Sequence, residues 1–366
     1  MRDPRPALVL NAGSSSVKAA LLAADGAVLW RGQQTWRPEE AAQVLGAWLP
    51  EALAPWLAEG EAAATLAFAG HRVVHGGERF TAPTRLSATV RRELAALVPL
   101  APLHNGPALQ LIEGVERWAP TLPQWACFDT AFHATLPPEA RTYAIPAPWR
   151  QAGLRRFGFH GLNHEHVSDS VARSDPDARR LISCHLGAGC SLCAVRDGRS
   201  IATTMGFTPL EGLVMASRSG SVDPGLLLHQ LRQGLGVDAI DHALHQESGL
   251  LGLSGLSGDM ATLRQAAAAG HDGAALAIAV FRQRLLQEIG AMAACLGGVE
   301  VIALSGGIGE HDTALRDELA AALAWLGPFR LRVVPADEEG LIARRCRAAA
   351  AAGAEPRTLP RRGEPW

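Results

Sequence analysis

The chain contains almost no lysine. Lys18 is the single lysine among 34 basic residues, and all the others are arginine. Lysine binds phosphate as a compact point charge, whereas arginine presents a planar fork of donors. The one ammonium group therefore makes the stretch around Lys18 a candidate phosphate-handling hairpin. An ordinary surface hairpin with a polar turn is the alternative interpretation of this stretch alone.

Long apolar runs, a strong net charge and a disulfide framework are also missing. No stretch approaches the ~18 uninterrupted apolar residues of a membrane span, and the N-terminus lacks a signal peptide pattern. A net charge of −2 argues against nucleic-acid or membrane partners held by bulk electrostatics. The six cysteines are scattered, and Cys190 with Cys193 makes only a lone Cys-x-x-Cys. We therefore expect a cytoplasmic protein with reduced thiols that binds neither nucleic acid nor membrane.

Two common nucleotide-binding patterns are absent from a chain long enough for about two domains. Neither G-x-x-x-x-G-K-[ST] nor a G-x-G-x-x-G that opens a helix occurs. Aromatic content is low at 5%, but 48% hydrophobic and 19% charged residues fit a well-packed soluble protein. A phosphate site in this chain would therefore be of the hairpin kind.

One plan of apolar strand, glycine-containing turn and apolar strand occurs twice. The first copy spans 8–22, and the second runs from 181 to 195 around a turn at 185–191. This weak internal repeat is placed where a duplicated two-domain fold would have it, with one phosphate-facing hairpin from each half beside an interdomain cleft. Glycines at 306–309 follow a buried strand and also allow close approach of a ligand to the backbone.

Apolar periodicity and punctuation predict the remaining elements. We expect helices over 38–49, 87–99, 106–118, 224–233, 237–246 and 271–296, and strands over 27–30, 66–68, 126–128, 299–304 and 330–334. Prolines and a glycine predict a loop over 101–107. The proline-rich stretch 136–149 is interpreted as the interdomain connection, and 349–366 as a poorly ordered tail. Asp129 follows a strand at its carboxyl end, where ligands gather in α/β sheets.

Several long motifs, taken in order, closely resemble those of acetate kinases. They are Asn11-Ala12-Gly13-Ser14-Ser15-Ser16, Gly70-His71-Arg72-Val73-Val74-His75-Gly76-Gly77, Phe128-Asp129-Thr130-Ala131-Phe132-His133, Gly158-Phe159-His160-Gly161 and Met205-Gly206-Phe207-Thr208-Pro209-Leu210-Glu211-Gly212. The resemblance implies an α/β fold of duplicated actin-like (ribonuclease H-like) ATPase domains, with mixed central sheets, flanking helices and a cleft between domains. Domain I would comprise 1–147 with 340–366, closed by the C-terminal helix, and domain II would comprise 148–339.

The resemblance also implies the activity. The expected activity is the reversible transfer of the γ-phosphoryl group of ATP to acetate, which gives acetyl phosphate and ADP. The transfer is direct and in line, with Mg²⁺ (or Mn²⁺) as the cofactor. Family members are usually homodimers, so a homodimer is expected. Phosphoryl transfer depends on charge stabilisation and positioning more than on covalent chemistry, which suits the residues that the resemblance selects.

Residue roles follow from the same resemblance. The resemblance assigns catalysis to Arg72, Asp129, His160 and Arg218, of which His160 and Arg218 would stabilise the transition state. Acetate binding falls to Arg72, Val74, Leu103, His104, Asn105 and Pro209, and metal binding to Asn11 and Glu338. The nucleotide is assigned to Ser14, Ser16, Lys18, His185, Leu186, Gly187, Ala188, Gly189, Asp259, Met260, Ala261, Gly306, Gly307, Ile308 and Gly309. His71 and His133 are interpreted as structural.

Departures from the family pattern cluster on the nucleotide side. They are Ala188, Cys190, Ala202, Ser221, Ala261 and His311. They leave the phosphoryl donor open, and the family has a pyrophosphate-using branch. A small apolar pocket discriminates by only about 1–3 kcal/mol per methylene, so propionate or another short-chain carboxylate is an alternative acceptor. Butyrate kinase is less favoured because the turn at 11–16 is closer to the acetate branch, and a non-catalytic actin-like relative is less favoured because the catalytic positions are retained.

Overall fold

The structure is a computed structural model that describes residues 3–13, 16–36, 41–57 and 62–353. The chain forms two compact units: unit 1 is Met1–Ala131 with Asp337–Trp366, and unit 2 is Phe132–Ala336. The structure thus places 132–147 in unit 2, whereas the sequence suggested domain I. The physical reason is local bonding, because His133 and Thr135 hydrogen-bond to Ser200 of unit 2 at 2.9 Å each.

Unit 1 is built on a mixed sheet. Its strands are β1 (Ala7–Ala12), β2 (Ser16–Leu22), β3 (Val28–Thr35), β4 (Phe68–Val73), β5 (Thr84–Arg85) and β6 (Gln124–Phe128), in the order β3-β2-β1-β4-β6-β5. Strands β1, β2 and β3 are antiparallel neighbours, whereas β4 runs parallel to β1 and β6 runs parallel to β4. The carboxyl ends of β1, β4 and β6 therefore share one edge of the sheet.

Helices cover both faces of this sheet. One face carries α1 (Ala41–Leu53), α2 (Ala62–Thr65), α3 (Ala88–Ala96) and α4 (Pro102–Trp118). Leu8 and Leu10 of β1 pack in one apolar core with Leu94 of α3 and Ile112 of α4. Alternate strand residues point to opposite faces, and the face that carries Gly70 meets the C-terminal helix Glu338–Ala351. A helix over 338–351 also means that 349–351 are not tail, while 354–366 lie outside the described residues.

The expected loop over 101–107 is wrong, because α4 begins at Pro102 and continues through Pro107. Pro102 takes the first helical position, where its missing N–H has no intrahelical partner, whereas Pro107 lies inside the helix. Asn105 then fixes this first part of α4 to the loop after β4, through bonds of 3.0 Å to the backbone N–H and C=O of His75. Tertiary hydrogen bonds thus outweigh the local helix-breaking signal.

Unit 2 repeats the strand plan. Its strands are β7 (Arg180–Leu186), β8 (Cys190–Arg196), β9 (Arg199–Thr203), β10 (Val301–Ser305) and β11 (Arg330–Val333), in the order β11-β10-β7-β8-β9. Strands β7, β8 and β9 are antiparallel neighbours, and β10 and β11 are parallel to β7. This is the order β6-β4-β1-β2-β3 of unit 1, strand for strand. The duplicated α/β fold and both hairpins expected from the sequence are confirmed.

The helices of the second half complete the chain. They are α5 (Pro138–Arg141), α6 (Ala147–Gln151), α7 (Gly161–Ser174), α8 (Pro224–Arg232), α9 (Val237–Gln246), α10 (Gly249–Ser254), α11 (Met260–Ala268), α12 (Asp272–Leu296), α13 (Gly306–His311), α14 (Thr313–Ala322) and α15 (Glu338–Ala351). The last of these belongs to unit 1. None of the helices in the described ranges is long and apolar enough to cross a membrane.

Candidate active site

Three strands of unit 1 bring predicted site residues together. Asn11 of β1 pairs in register with Arg72 of β4, and Asp129 follows β6 directly. Both oxygens of the Asp129 carboxylate accept hydrogen bonds from Arg72, one of them from Nε at 3.0 Å. Arg72 Nη1 also donates to Oδ1 of Asn11 at 3.1 Å. Parallel pairing of the strands therefore builds a polar cluster at their common edge.

Burial and charge set the ionisation of this cluster. The side chain of Arg72 is 17% exposed and that of Asp129 is 1% exposed. Burial alone would lower the pKa of Arg72, but the charges of Asp129 and Glu338 outweigh it and raise that pKa. Burial raises the pKa of Asp129 above its ordinary value, although the charge and the hydrogen bonds of Arg72 act to lower that pKa. Arg72 is thus a fixed cation with limited access to solvent.

The first residue of α15 completes the cluster. Glu338 Oε2 lies 3.5 Å from the Asn11 amide nitrogen and 3.7 Å from Arg72 Nε. The side chain of Glu338 is 16% exposed, so its carboxylate is both anchored and accessible. The Glu338 carboxylate and the second lone pair of the Asn11 amide oxygen, whose first accepts from Arg72, suit Mg²⁺, which keeps several waters. Among the described residues there is no group of three or more His, Cys, Asp or Glu side chains arranged for a metal.

The loop after β4 carries the residues expected at the acetate end. Val74 is buried, and Gly76 donates its backbone N–H to Thr130 Oγ1 at 3.1 Å. Asn105 is 1% exposed and is engaged with the His75 backbone, so the structure gives it a positioning contact within unit 1. His104 lies in the first turns of α4. The side chain of Leu103 lies outside what the structure describes.

The first hairpin places its predicted residues at or near the same edge. The N–H of Gly13 donates to the carbonyl of Ser16 at 2.8 Å and closes the turn. Lys18 is exposed and pairs with Asn11 across the hairpin, which puts both side chains on one face of the sheet. Ser14, the other predicted nucleotide contact here, lies outside the described residues.

In unit 2, predicted site residues meet at the turn between β7 and β8. A Cβ added at Gly189 would lie 3.1 Å from Cε1 and Nε2 of His160 and 3.8 Å from Nη1 of Arg218. The ring of His185 lies 4.4 Å from the ring of His160, between centroids. A glycine at this turn therefore lets an imidazole and a guanidinium approach the same backbone segment.

Arg218 is fixed to another predicted residue. Its Nη1 donates to the carbonyl oxygen of Pro209 at 3.1 Å. The N–H of Met215 in turn donates to the carbonyl of Arg218 at 3.2 Å. The first bond joins Pro209, one of the residues expected to line the acetate pocket, to one of the two expected arginines.

The backbone at His160 is held by a buried histidine. His133 Nε2 donates to the carbonyl oxygen of Phe159 at 3.0 Å, and its Nδ1 faces Ser200 Oγ at 2.9 Å. Burial lowers the pKa of His133 to about 4, so its ring is neutral. Gly158 has φ +79°, and a Cβ added to it would lie 2.7 Å from the His133 ring. Only glycine therefore fits at this position. These contacts support the structural interpretation of His133.

A cavity of about 810 Å³ lies beside the second hairpin, within the usual size range of ligand pockets. Its lining includes seven of the residues assigned to the nucleotide: Gly187, Ala188, Asp259, Met260, Ala261, Gly307 and Ile308. A Cβ at Gly307 would meet no atom within 4 Å, so that glycine faces open space. Leu186 is fully buried, and its backbone lies against Gly306, whose φ is +79°.

The family departures take specific structural forms in this region. Cys190 is buried, and its thiol donates to the carbonyl of Gly187 at 3.2 Å, so it braces the turn from inside. Asp259 caps α11 by accepting from Thr262 N at 2.8 Å and from Thr262 Oγ1 at 2.7 Å. These bonds hold the pKa of Asp259 below its ordinary value. Ala188 and His311 are exposed at the cavity.

One cavity residue was missed by the sequence interpretation. Arg264 lines the cavity one helical turn after Ala261, on the same face of α11. Its Nε pairs with Asp312 at 3.1 Å and its Nη1 pairs with Glu318 at 2.9 Å. The available signal was the three-residue spacing, which places an arginine next to the position where the family usually has one.

Comparison with known proteins identifies the family. The family profile described as "Acetokinase family" matches residues 51–344, well over half of the chain. The chain belongs to the acetokinase family. An acetate kinase of Synechococcus sp. (strain JA-2-3B'a(2-13)) is 44% identical over 393 residues, which cover 93% of this chain and 98% of the relative.

Solved structures of the acetokinase type match with the same fold. Porphyromonas gingivalis acetate kinase aligns with a TM-score of 0.85 and 31% identity, over 94% of this chain and 100% of that one. A propionate kinase from Francisella tularensis subsp. tularensis SCHU S4 aligns with a TM-score of 0.85 and 33% identity, over 93% and 98%. Similarity to solved structures therefore supports a carboxylate kinase without separating the two acceptors.

Proposed function

We propose that this chain is an acetate kinase, which reversibly transfers the γ-phosphoryl group of ATP to acetate. The membership in the acetokinase family and the 44% identity to an acetate kinase support the proposal. The observation that carries it is the convergence of His160 and Arg218 on the turn at Gly189. Two donors fixed beside a bare backbone segment suit a phosphoryl group whose charge grows in the transition state.

The proposed roles of the site residues follow from the chemistry of their side chains. Arg72, a buried cation fixed at two points by Asp129, offers its remaining donors to the acetate carboxylate and to the phosphoryl oxygens. Arg218 neutralises the phosphoryl group, and its bond to Pro209 positions one wall for the acetate methyl group. His160 donates a hydrogen bond to an equatorial oxygen. Transfer is direct and in line, and the chain's own groups hold charges rather than form a covalent intermediate.

Asn11 and Glu338 would hold a magnesium ion, and Mn²⁺ is an alternative. Glu338 has accessible oxygens at the start of α15, and the Asn11 side chain lies against it. The ion, when bound with the nucleotide, supplies neutralisation of phosphate charge. Asp129 is committed to Arg72, so its contribution to this site is to keep that arginine in place.

The cavity beside Gly307 is proposed as the site of the nucleoside part of the donor. Its volume of about 810 Å³ and the open space at Gly307 leave room for a purine. Arg264, held by Asp312 and Glu318, places a guanidinium on the cavity wall one helical turn from Ala261. We therefore favour ATP as donor over pyrophosphate, which would leave such a cavity unused.

Propionate is the second candidate acceptor. The observation in its favour is the equal TM-score, 0.85, to a solved acetate kinase and to a solved propionate kinase. One methylene changes binding in an apolar pocket by about 1–3 kcal/mol, so activity with both acceptors is expected.

A coupled assay of the purified protein tests the function. Acetate, propionate and butyrate are combined with ATP, GTP or pyrophosphate, with Mg²⁺ or Mn²⁺ present and then removed by chelation. We expect the highest kcat/KM with acetate and ATP and no turnover after chelation. Absence of turnover with every pair would reject the kinase proposal, whereas a preference for propionate or pyrophosphate would move the assignment within the family.

We also propose that the protein is a cytoplasmic homodimer. Its six cysteines are free thiols, in keeping with a reducing compartment. Large apolar side chains are exposed along α8 and its flanks, namely Val222, Leu226, Leu228, Leu231, Leu235 and Val237. Such an exposed apolar surface is typical of a protein contact. Light scattering after gel filtration measures the mass, and Leu226→Arg with Leu231→Arg should yield a monomer if this surface is the contact.

A further inference from the structure

A line of hydrogen-bonded side chains runs from His160 into the interior of unit 2. His160 Nδ1 lies 2.9 Å from Ser191 Oγ, and the same Oγ lies 2.8 Å from Nε2 of His164. His164 Nδ1 lies 2.9 Å from Ser183 Oγ. Ser183, His164 and Ser191 are each fully buried. We call this series of four side chains the His160 relay.

The inner histidine of the relay is neutral. Burial lowers the pKa of His164 well below its ordinary value, and the nearby His133 and His185 lower it further. A neutral imidazole has one nitrogen that donates and one that accepts. The direction of every hydrogen bond in the relay therefore depends on which nitrogen of His164 carries the proton.

Ser183 determines which nitrogen of His164 carries the proton. Within the described part of the chain, its hydroxyl has one hydrogen-bond partner, Nδ1 of His164. A buried hydroxyl that leaves its proton without an acceptor is costly, by about 1–3 kcal/mol. The Ser183 hydroxyl therefore donates to Nδ1, and the proton of His164 lies on Nε2.

The remaining directions follow from donor and acceptor capacity. His164 Nε2–H donates to Ser191 Oγ. The Ser191 hydroxyl has His160 Nδ1 as its other partner among the described residues, so it donates to that nitrogen. His160 Nδ1 is then an acceptor, and the proton of a neutral His160 lies on Nε2.

The protonated nitrogen points toward the proposed phosphoryl site. His160 Nε2 lies 3.1 Å from the position that a Cβ at Gly189 would take, and Arg218 Nη1 lies 3.8 Å from that position. His185 and Ser191 contact His160, and the guanidinium of Arg218 approaches the same position at Gly189. Because Nδ1 accepts from Ser191, the proton of the neutral ring lies on Nε2, the ring nitrogen near the turn.

We propose that Ser183, His164 and Ser191 are positioning residues that hold His160 as the Nε2–H tautomer, ready to donate to the transferring phosphoryl group. This inference rests on the proposed function for its catalytic meaning, but the tautomer itself is a property of the resting protein. An imidazole with a bare Nε2 would present a lone pair to an anionic oxygen, which repels it. The hydrogen bonds from Ser191 and the residues behind it thus decide whether His160 assists or opposes transfer.

The tautomer is measured directly by ¹⁵N NMR of histidine-labelled protein, with His160 assigned by loss of its signals in His160→Gln. We expect a single tautomer in the wild type, with a pyridine-type Nδ1 and a protonated Nε2. In Ser191→Ala we expect an average of both tautomers. A protonated Nδ1 with a bare Nε2 in the wild type would overturn the proposal whatever the enzymatic activity.

Kinetics supply the second readout. Ser191→Ala is expected to lower kcat by about 10–100-fold, because His160 loses the hydroxyl that orients its ring, with both KM values little changed. Ser191→Thr retains the hydroxyl and should recover most of kcat. Ser183→Ala should lower kcat less, because Ser183 lies two hydrogen bonds further along the relay from His160 than Ser191 does.

The control removes a hydroxyl from the C-terminal end of α7, the helix that contains His164. Ser174 Oγ donates to Asp175 at 2.9 Å at the end of α7, so Ser174→Ala should keep wild-type kcat. A wild-type kcat and an unchanged NMR pattern in Ser191→Ala would refute the relay. A wild-type protein without turnover, but with the single Nε2–H tautomer, would instead refute the proposed function and leave the relay standing.

Discussion

Arg72 and Asp129 form a two-point ion pair at the carboxyl ends of the parallel strands β4 and β6. Arg72 Nε lies 3.0 Å from Oδ1 of Asp129, and Arg72 Nη2 donates to the other oxygen. A guanidinium fork matches a carboxylate in this geometry, which a lysine ammonium cannot reproduce. The pair orients the cation that the proposed reaction needs, and its near-complete burial makes the loss of either partner costly.

Removing Arg72 should damage stability and activity together. Arg72→Ala leaves the Asp129 carboxylate buried and unpaired, so the free energy of unfolding should fall by about 3–5 kcal/mol. Loss of a charge-stabilising donor should lower kcat by ~10²–10³ or more. The double variant Arg72→Ala with Asp129→Asn should regain stability, because the unpaired charge is gone, without regaining activity. Denaturant unfolding and the coupled assay measure the two effects.

An exposed ion pair is the matched control for this prediction. Arg117 and Glu113 lie 3.5 Å apart on the surface of α4, with side chains 64% and 58% exposed. Arg117→Ala should cost at most about 1 kcal/mol and leave kcat unchanged. An Arg72→Ala protein as stable as this control would contradict the predicted role of burial.

Arg218→Ala should affect both catalysis and acetate binding. The lost guanidinium should lower kcat by ~10²–10³. Pro209 also loses the donor to its carbonyl, so the KM for acetate should rise while the KM for ATP changes less. Arg173→Ala, at an exposed position on α7, serves as the control. A wild-type rate in Arg218→Ala would remove this arginine from the mechanism.

The sequence predicted the parts of the fold that local signals determine. Both hairpins follow from apolar strands separated by glycine turns, and α12 follows from Phe281, Leu285 and Ile289 at helical spacing. The site residues were found through the resemblance of their motifs to those of acetate kinases; Asp129 directly follows β6 as expected, whereas Arg72 lies within β4. The ion pair between Arg72 and Asp129 could not be predicted from the sequence, because it depends on the parallel pairing of β4 with β6.

Non-local contacts explain what the sequence did not predict. The start of α4 was expected to be a loop, but Asn105 bonds to His75, which is 30 positions away, and stabilises the helix. The unit boundary at Ala131 depends on the bonds of His133 and Thr135 to Ser200. Arg264 was missed because its relation to Ala261 appears only when α11 is known to be a helix.

Buried neutral histidines should make the fold sensitive to mild acid. Burial lowers the pKa of His71 to about 4, and its Nε2 faces Gln124 Oε1 at 2.7 Å. An unfolded chain protonates this ring near pH 6.5, so the unfolded state binds more protons below that pH. Stability linked to His71 is therefore present above pH 6.5 and is lost as pH falls toward 4.

The variant His71→Leu should flatten this dependence. Between pH 7 and pH 5, the free energy of unfolding of the wild type should fall by about 2 kcal/mol more than that of the variant. Denaturant unfolding at the two pH values provides the difference, in which contributions of other groups cancel. His229→Gln, at an exposed position on α8, should behave like the wild type. Equal slopes for wild type and His71→Leu would show that His71 does not titrate with folding.

The last prediction concerns the cavity proposed for the nucleoside. A side chain at Gly307 would meet no protein atom within 4 Å at its Cβ, so Gly307→Leu should fold with wild-type stability. It would nevertheless fill the space that a purine needs in the cavity of about 810 Å³. The KM for ATP should therefore rise by about tenfold or more, the effect of a lost 1.4 kcal/mol, while the KM for acetate stays unchanged.

Gly290 is the matched control for Gly307. It lies on α12, also has open space at its Cβ, and is not among the residues that line the cavity. Gly290→Leu should leave both KM values unchanged and stabilise the helix, since glycine costs about 0.5–1 kcal/mol relative to alanine in a helix interior. If Gly307→Leu also left the KM for ATP unchanged, the nucleoside would have to bind elsewhere. Pyrophosphate as donor would then regain support, because it needs no nucleoside cavity.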